Sequence, residues 1–152
     1  MSHVHAEEVL SAPHVLAYDY RRSVGPVLGR FFTALRDRTL VGSVTADGRV
    51  LVPPMEYDPQ TGDAVDEIVE VGPGGGVTTW AWVHEPMRNH PLDRPFAFAL
   101  IQLDGATSGL LHVVDAVDEA RMSTGMRVVP RWAAEPQGSI LDIACFEPEE
   151  AP

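Results

Sequence analysis

The sequence predicts a mainly β protein, a small closed barrel preceded by one N-terminal amphipathic helix. Three observations carry this prediction. Leu28, Phe31, Phe32 and Leu35 recur at spacings of three and four, which puts them on one helical face. From Leu40 onward the chain reads as short apolar strands divided by Asp-Gly, Pro-Pro and glycine-rich turns. A chain of 152 residues, 45% of them hydrophobic, suits one domain able to bury a core without covalent staples. One helix followed by a hairpin and about five further strands fits a closed barrel behind a helical arm.

The elements follow in order. Residues 1–17 have no sustained period and read as an arm, mobile or docked. Ser23 is a candidate cap, Pro26 suits a first helical turn, and the helix should stop near Asp37. Strands over 41–45 and 49–52 flank Asp47-Gly48, a pair that favours a tight hairpin because glycine accepts positive φ. Pro53-Pro54 ends the second strand, since proline offers no ladder donor. Residues 55–64 read as a turn-rich connector, and 68–71 alternate as on a half-buried strand. Gly72 to Gly76 is expected to be a turn, followed by a strand over 77–83 and a polar loop over 84–94. Further strands are expected over 96–103, 110–114, 126–132 and 140–146, with one helical turn within 116–122.

Composition excludes several chemistries. All eleven basic residues are arginine, so no lysine is present to form a Schiff base. The single cysteine, Cys145, excludes an internal disulfide and a multi-cysteine zinc site. A formal charge of −11 argues against nucleic acid, whose nonspecific affinity comes from neutralised phosphates, and against an anionic membrane surface. No apolar run approaches the roughly twenty residues that cross a bilayer. No signal peptide is evident at the N-terminus, and with one thiol a cytoplasmic location is expected.

Each motif with chemical potential has a plainer reading. The Gly-Pro-Gly-Gly-Gly run at 72–76 lacks a following Lys-Ser/Thr and opens a strand, so it is no phosphate cradle. His84, His90 and His112 form no ligand set at an established metal spacing; His112, in an apolar strand, reads as a hydrogen-bonded core histidine. His84 and His90 lie on the loop 84–94 with Arg88 and Arg94 and read as surface histidines, with an anion contact as the alternative. Cys145, near the end of a strand, reads as a buried inert thiol. Trp80 and Trp82 share one strand face and read as core, with a stacking platform as the minority alternative. Five arginines against Asp19 and Asp37 make residues 18–38 net-positive, with Arg30 and Arg36 on the polar helix face. No catalytic constellation emerges.

The order of these features carries a family resemblance. The helix with Phe31-Phe32 and Leu35 is followed by Asp47-Gly48, Val52-Pro53-Pro54 and Asp58-Pro59-Gln60-Thr61-Gly62. Then come the glycine turn before Val77-Thr78-Thr79-Trp80, the run from Arg94-Pro95-Phe96 to Leu103-Asp104-Gly105, and Gly125-Met126-Arg127-Val128. Over about residues 25–146 the chain resembles the acyl-CoA-associated zinc-ribbon and OB-fold family, the domain of unknown function numbered thirty-five. The resemblance implies an arm and helix over 1–38, a degenerate ribbon-like hairpin region over 39–71 and an OB-fold barrel over 72–152.

It also implies a function. Members are non-catalytic partners of thiolase-superfamily enzymes, thiolases or retro-aldol lyases, acting on acyl-CoA thioesters, with steroid side-chain degradation as one setting. Some work beside a hot-dog-fold hydratase. This protein is therefore expected to support such an enzyme and not to be an enzyme by itself. Arg30, Arg36, Trp80, Trp82, His84, Arg88 and Arg94 are the candidate contacts to the partner or to CoA. The ribbon's metal is expected to be absent, because its ligand positions read Val44, Asp47, Asp58 and Thr61. Two alternatives stand beside this reading. A hot-dog thioesterase or hydratase needs a long helix wrapped by a sheet, whereas the long helix here precedes every strand. A single-strand nucleic-acid binder suits an OB fold but is opposed by the acid excess.

Overall fold

A computed structural model describes residues 11–150. Helix α1 spans Gly25–Arg36, with Pro26 in its first turn and Val27, Phe31 and Leu35 buried along one stripe. The Ser23 hydroxyl accepts only a long contact, 3.4 Å, from the Gly25 N–H. The Glu56 carboxylate sits where a Cβ on Gly25 would project. That position puts negative charge at the positive end of the helix. At the other end Arg36 lies in the last turn, on the side the helix dipole favours for a cation.

The strands form two hydrogen-bonded units. In the first, β1 (Leu40–Val44) is flanked by β2 (Val50–Leu51) and β3 (Ile68–Val71), all antiparallel. The second is a closed five-stranded barrel. Its members are β4 (Gly75–Val83), β5 (Phe96–Leu103), β6 (Leu110–Val114), β7 (Arg127–Trp132) and β8 (Ile143–Pro148), in the spatial order β4-β5-β6-β8-β7. Antiparallel pairing runs around the ring except between β6 and β8, which are parallel and meet at Val114 and Phe146. Closure falls at Gly75 and Gly76, which pair with Leu103 and Gln102 on one side and with Val128 and Arg127 on the other.

Alternation sorts the barrel side chains. Ala97, Ala99, Ile101 and Leu103 of β5 point into the main core, where they meet Leu110, Val114 and Phe146. Phe31, Leu35, Leu40, Val41 and Val71 belong to the same cluster, so helix, small sheet and barrel share one continuous core. On the outer face Phe96, Val113 and Cys145 form a second cluster that Leu92 of the loop 84–94 helps to cover. The small sheet is also tied by hydrogen bonds. Thr107 and Ser108, between β5 and β6, bond the main chain of Val50 and Val52 at 2.7–3.1 Å through their hydroxyls. Those bonds satisfy the open edge of β2, which would otherwise offer unpaired backbone groups.

The helix, the hairpin and the strand series agree with the sequence reading, and four details differ. The hairpin turn runs through residues 45–49, because Thr45 bonds the Arg49 carbonyl and Gly48 takes φ 83°. Gly75 and Gly76 extend β4 instead of completing the turn. A Cβ at Gly75 would stand 2.5 Å from the Gln102 carbonyl oxygen, so glycine lets two strands approach where the ring closes. Residues 140–142 form a short 3-10 turn ahead of β8, since Asp142 accepts from the Gln137, Gly138 and Ser139 N–H groups. The expected helical turn within 116–122 is shorter, a 3-10 turn over Glu119–Arg121 opened by Asp118, whose side chain accepts from the Ala120 N–H.

Two substitutions separate closure from mere strand occupancy. Gly75→Ala should destabilise by about 1–3 kcal/mol through overpacking against β5. Gly76→Ala, where a Cβ meets nothing within 4 Å, should stay within about 0.5 kcal/mol. Urea melts of the two variants check the contrast. Phe31→Ala should cost about 3–5 kcal/mol in the same assay, because its ring joins helix to core.

Candidate functional site

The loop 84–94 leaves β4 and returns as β5, and it scatters its polar side chains instead of gathering them. His84 is exposed, with Nε2 3.7 Å from the Glu119 carboxylate. His90 accepts from the Met87 N–H at 3.1 Å and meets Phe96 and Phe98 edge-on. Arg88 is exposed and lines a shallow cavity formed by the loop itself, about 410 Å³. Trp80 and Trp82 are half-buried and pack against the main core opposite Ala99 and Ala97. Arg30 donates to the Asp66 carbonyl at 2.7 Å, which ties the helix to the segment before β3, and exposed Arg36 lies 3.8 Å from Asp37.

Arg94 is the member of the set that pairs with a buried carboxylate. Asp115, just beyond β6 and 4% exposed, accepts from both Arg94 and Arg131 through Oδ2. The carboxylate beside it pushes the Arg94 guanidinium further toward its charged form. Arg121 and Glu147 join Arg94, Asp115 and Arg131 in lining about 470 Å³. Arg131 also reaches Glu147 at 3.6 Å. The other oxygen of Asp115, Oδ1, is buried without a hydrogen-bond partner. Glu150 lines the cleft as well, so three arginines face three carboxylates there and Arg94 and Arg131 are already paired.

Sequence reasoning missed Asp115, Arg121 and Arg131. A signal was present: residues 121–131 hold three arginines and no acidic residue, a second net-positive stretch. Nothing local pointed to Asp115, because it meets Arg94 and Arg131 only through barrel closure. His112 also departs from expectation. Its ring is largely buried edge-on to Phe146, but Nδ1 has no hydrogen-bond partner. Burial lowers its pKa from 6.5. Burial likewise raises the Cys145 thiol to about 11, so it carries no nucleophilic thiolate near neutrality.

The four positions matched to zinc-ribbon ligands carry a different device. The Arg49 guanidinium donates from Nε to Asp47 at 2.8 Å and from Nη2 to Asp58 at 2.6 Å. Asp58 also accepts from the Gln60 N–H, and the Thr61 hydroxyl accepts from the Asp63 N–H. Val44 offers no donor atom. Both carboxylates are already neutralised by a cation, so these residues do not fit zinc. No group of three or more His, Cys, Asp or Glu among the described residues is arranged to hold a metal.

Comparison with known proteins follows from the barrel. Residues 68–133 match the family model described as the ChsH2, C-terminal OB-fold domain. The barrel has the OB fold. A solved chain described as an Ltp2-ChsH2(DUF35) aldolase aligns with a TM-score of 0.60 and 23% identity, covering 84% of this chain and 98% of that one. A protein of unknown function from the DUF35 family of Sulfolobus solfataricus aligns with a TM-score of 0.58 and 23% identity, covering 70% of this chain and 77% of that one. No curated protein matches the chain. At that identity the two structures establish a shared fold. Within this OB fold, the Arg94–Asp115–Arg131 group lies where β6, β7 and β8 meet. No helix among the described residues is long and apolar enough to cross a membrane.

Two measurements follow from the buried groups. A thiol reagent should label Cys145 at the rate of global unfolding and not before. His112 has its folded pKa below its unfolded value, so its contribution to stability is complete above pH 6.5 and erodes as pH falls toward the folded value. His112→Gln should flatten the loss of stability below pH 6.5, read from denaturant melts across pH.

Proposed function

We propose that this protein is a non-catalytic accessory subunit of a thiolase-like aldolase acting on acyl-CoA thioesters, within a cytoplasmic complex. The observation that carries the reading is the likeness to the chain from the Ltp2-ChsH2(DUF35) aldolase, 98% of which this chain covers. The chemistry of the chain supports it from the other side. There is no lysine for imine formation. The one thiol is buried with its pKa raised, and no histidine is held by a carboxylate beside a nucleophile among the described hydrogen bonds. Such a chain serves by holding a partner, which supplies nucleophile and base.

Exposed apolar surface ahead of the helix favours a partner as well. Val15, Leu16, Tyr18 and Tyr20 are 69–85% exposed in a segment without helix or strand. Large side chains left in water in succession are more often contact surface than ornament. In this reading exposed Arg36 and Arg88, and Arg94 with Arg121 and Arg131, face acidic partner surface or CoA phosphates. Zinc plays no part.

Co-expression with a thiolase-like subunit, followed by size-exclusion chromatography, should give one co-eluting complex. Arg36→Glu combined with Arg88→Glu should weaken that complex about tenfold or more while leaving the melting temperature unchanged. The purified protein alone should leave acyl-CoA thioesters intact. Turnover by the isolated chain, abolished by a point substitution, would overturn the reading.

A further inference from the structure

The segment between β2 and β3, residues 52–67, is long for a connection within a three-stranded sheet. It holds no helix or named strand: an isolated bridge joins Tyr57 to Ala64, the Asp58, Gly62 and Val65 N–H groups bond the Asp63, Asp58 and Glu56 carbonyls, and the Met55 N–H bonds the Ser43 hydroxyl. Val52 and Val65 anchor its two ends in the interior. Its middle is held by Asp58, which is 4% exposed. That carboxylate makes one bond to its own turn, from the Gln60 N–H at 2.8 Å, and one outward, to Arg49. Arg49 in turn holds Asp47 in the β1–β2 turn, and Thr45 closes the same turn by donating to Asp47 and accepting from the Arg49 N–H.

Two turns nine residues apart are thus joined through the Arg49 side chain. The planar guanidinium presents Nε and Nη2 in different directions, so one cation reaches two carboxylates on separate loops. A lysine ammonium at the end of a flexible stem lacks that fork. We infer that Arg49 cross-links the β1–β2 turn and the 52–67 connector in the position where a zinc ribbon uses a metal ion, so that this part of the protein folds without metal.

Charge supports the assignment. A divalent ion entering between Asp47 and Asp58 would have to displace Arg49 or lie beside it, and Val44 and Thr61 supply neither thiolate nor imidazole to compensate. The pair is also sheltered: the Arg49 and Asp58 side chains are only 23% and 5% exposed. Arg49 holds Asp47 down at about pKa 2 and lowers Asp58 as well. Stability from the clasp is complete above the unfolded value near 3.8 and is lost as pH falls through the lower folded values.

The test uses the full chain. Elemental analysis of protein purified without added metal should find no stoichiometric zinc, and a strong chelator should leave the melting temperature unchanged. Arg49→Gln and Arg49→Lys should each lower the melting temperature by about 5 °C and speed proteolysis within residues 53–67. The lysine variant separates a forked bridge from positive charge alone. Stoichiometric metal, a melting temperature that falls on chelation, or an Arg49→Lys variant as stable as the wild type would each overturn the inference. Should Arg49→Gln yield no folded protein, the metal analysis, the chelator and Arg49→Lys decide.

Discussion

Ring closure at Gly75 and Gly76 is the constraint from which the rest of the molecule follows. These two residues pair with β5 on one edge and β7 on the other, and at Gly75 the Gln102 backbone leaves no room for a side chain. Once the ring is shut, no barrel strand is left with an open edge and alternate residues of β5 have an interior to fill. The interior then extends outward through Leu40, Val71 and Leu35, and so recruits the small sheet and the helix into one core. Without closure, Arg94, Asp115 and Arg131 would not meet, because they come from a loop, a strand end and a different strand.

The OB fold here leaves few groups placed for chemistry among the described residues. Cys145 is buried within the outer cluster, and the His112 ring meets Phe146 edge-on. Polar function lies in arginines instead. Their guanidinium groups stay charged at any accessible pH, so they suit recognition and bridging more than proton transfer. Arginine occupies every basic position of the chain, and the structure uses that fact in two ways. Arg49 and Arg127 are forks that join separate segments, Arg127 gripping Asp104 with two bonds of 2.6 Å. Arg94 and Arg131 converge on a buried carboxylate while remaining half-exposed to the cleft.

A metal ion and a guanidinium are different solutions to one problem, the fixing of loops too short of apolar contacts to fix themselves. The metal requires ligands that bind it more tightly than water does, and it couples folding to metal supply. The Arg49 clasp needs only two carboxylates at matching distances and partial shelter from solvent. It still depends on tertiary support, because Val52 and Val65 must first bring the connector back onto the sheet.

Local sequence was sufficient for the helix and for most strands, because their signals are local: apolar spacing for α1, alternation for β5, and glycine or proline at the turns. It was also sufficient to exclude imine chemistry and disulfides, which depend on composition alone. Order along the chain, with its Asp-Gly and Pro-Pro punctuation, was enough to suggest the resemblance. Tertiary structure alone decided that Gly75 and Gly76 belong to a strand, because both pair with β5 and β7 and the β5 backbone excludes a Cβ at Gly75. It alone brought Arg49 to Asp58 and Asp115 to Arg94 and Arg131. Pairings of that kind are set by how strands close on one another in space, and no local preference of the residues encodes them.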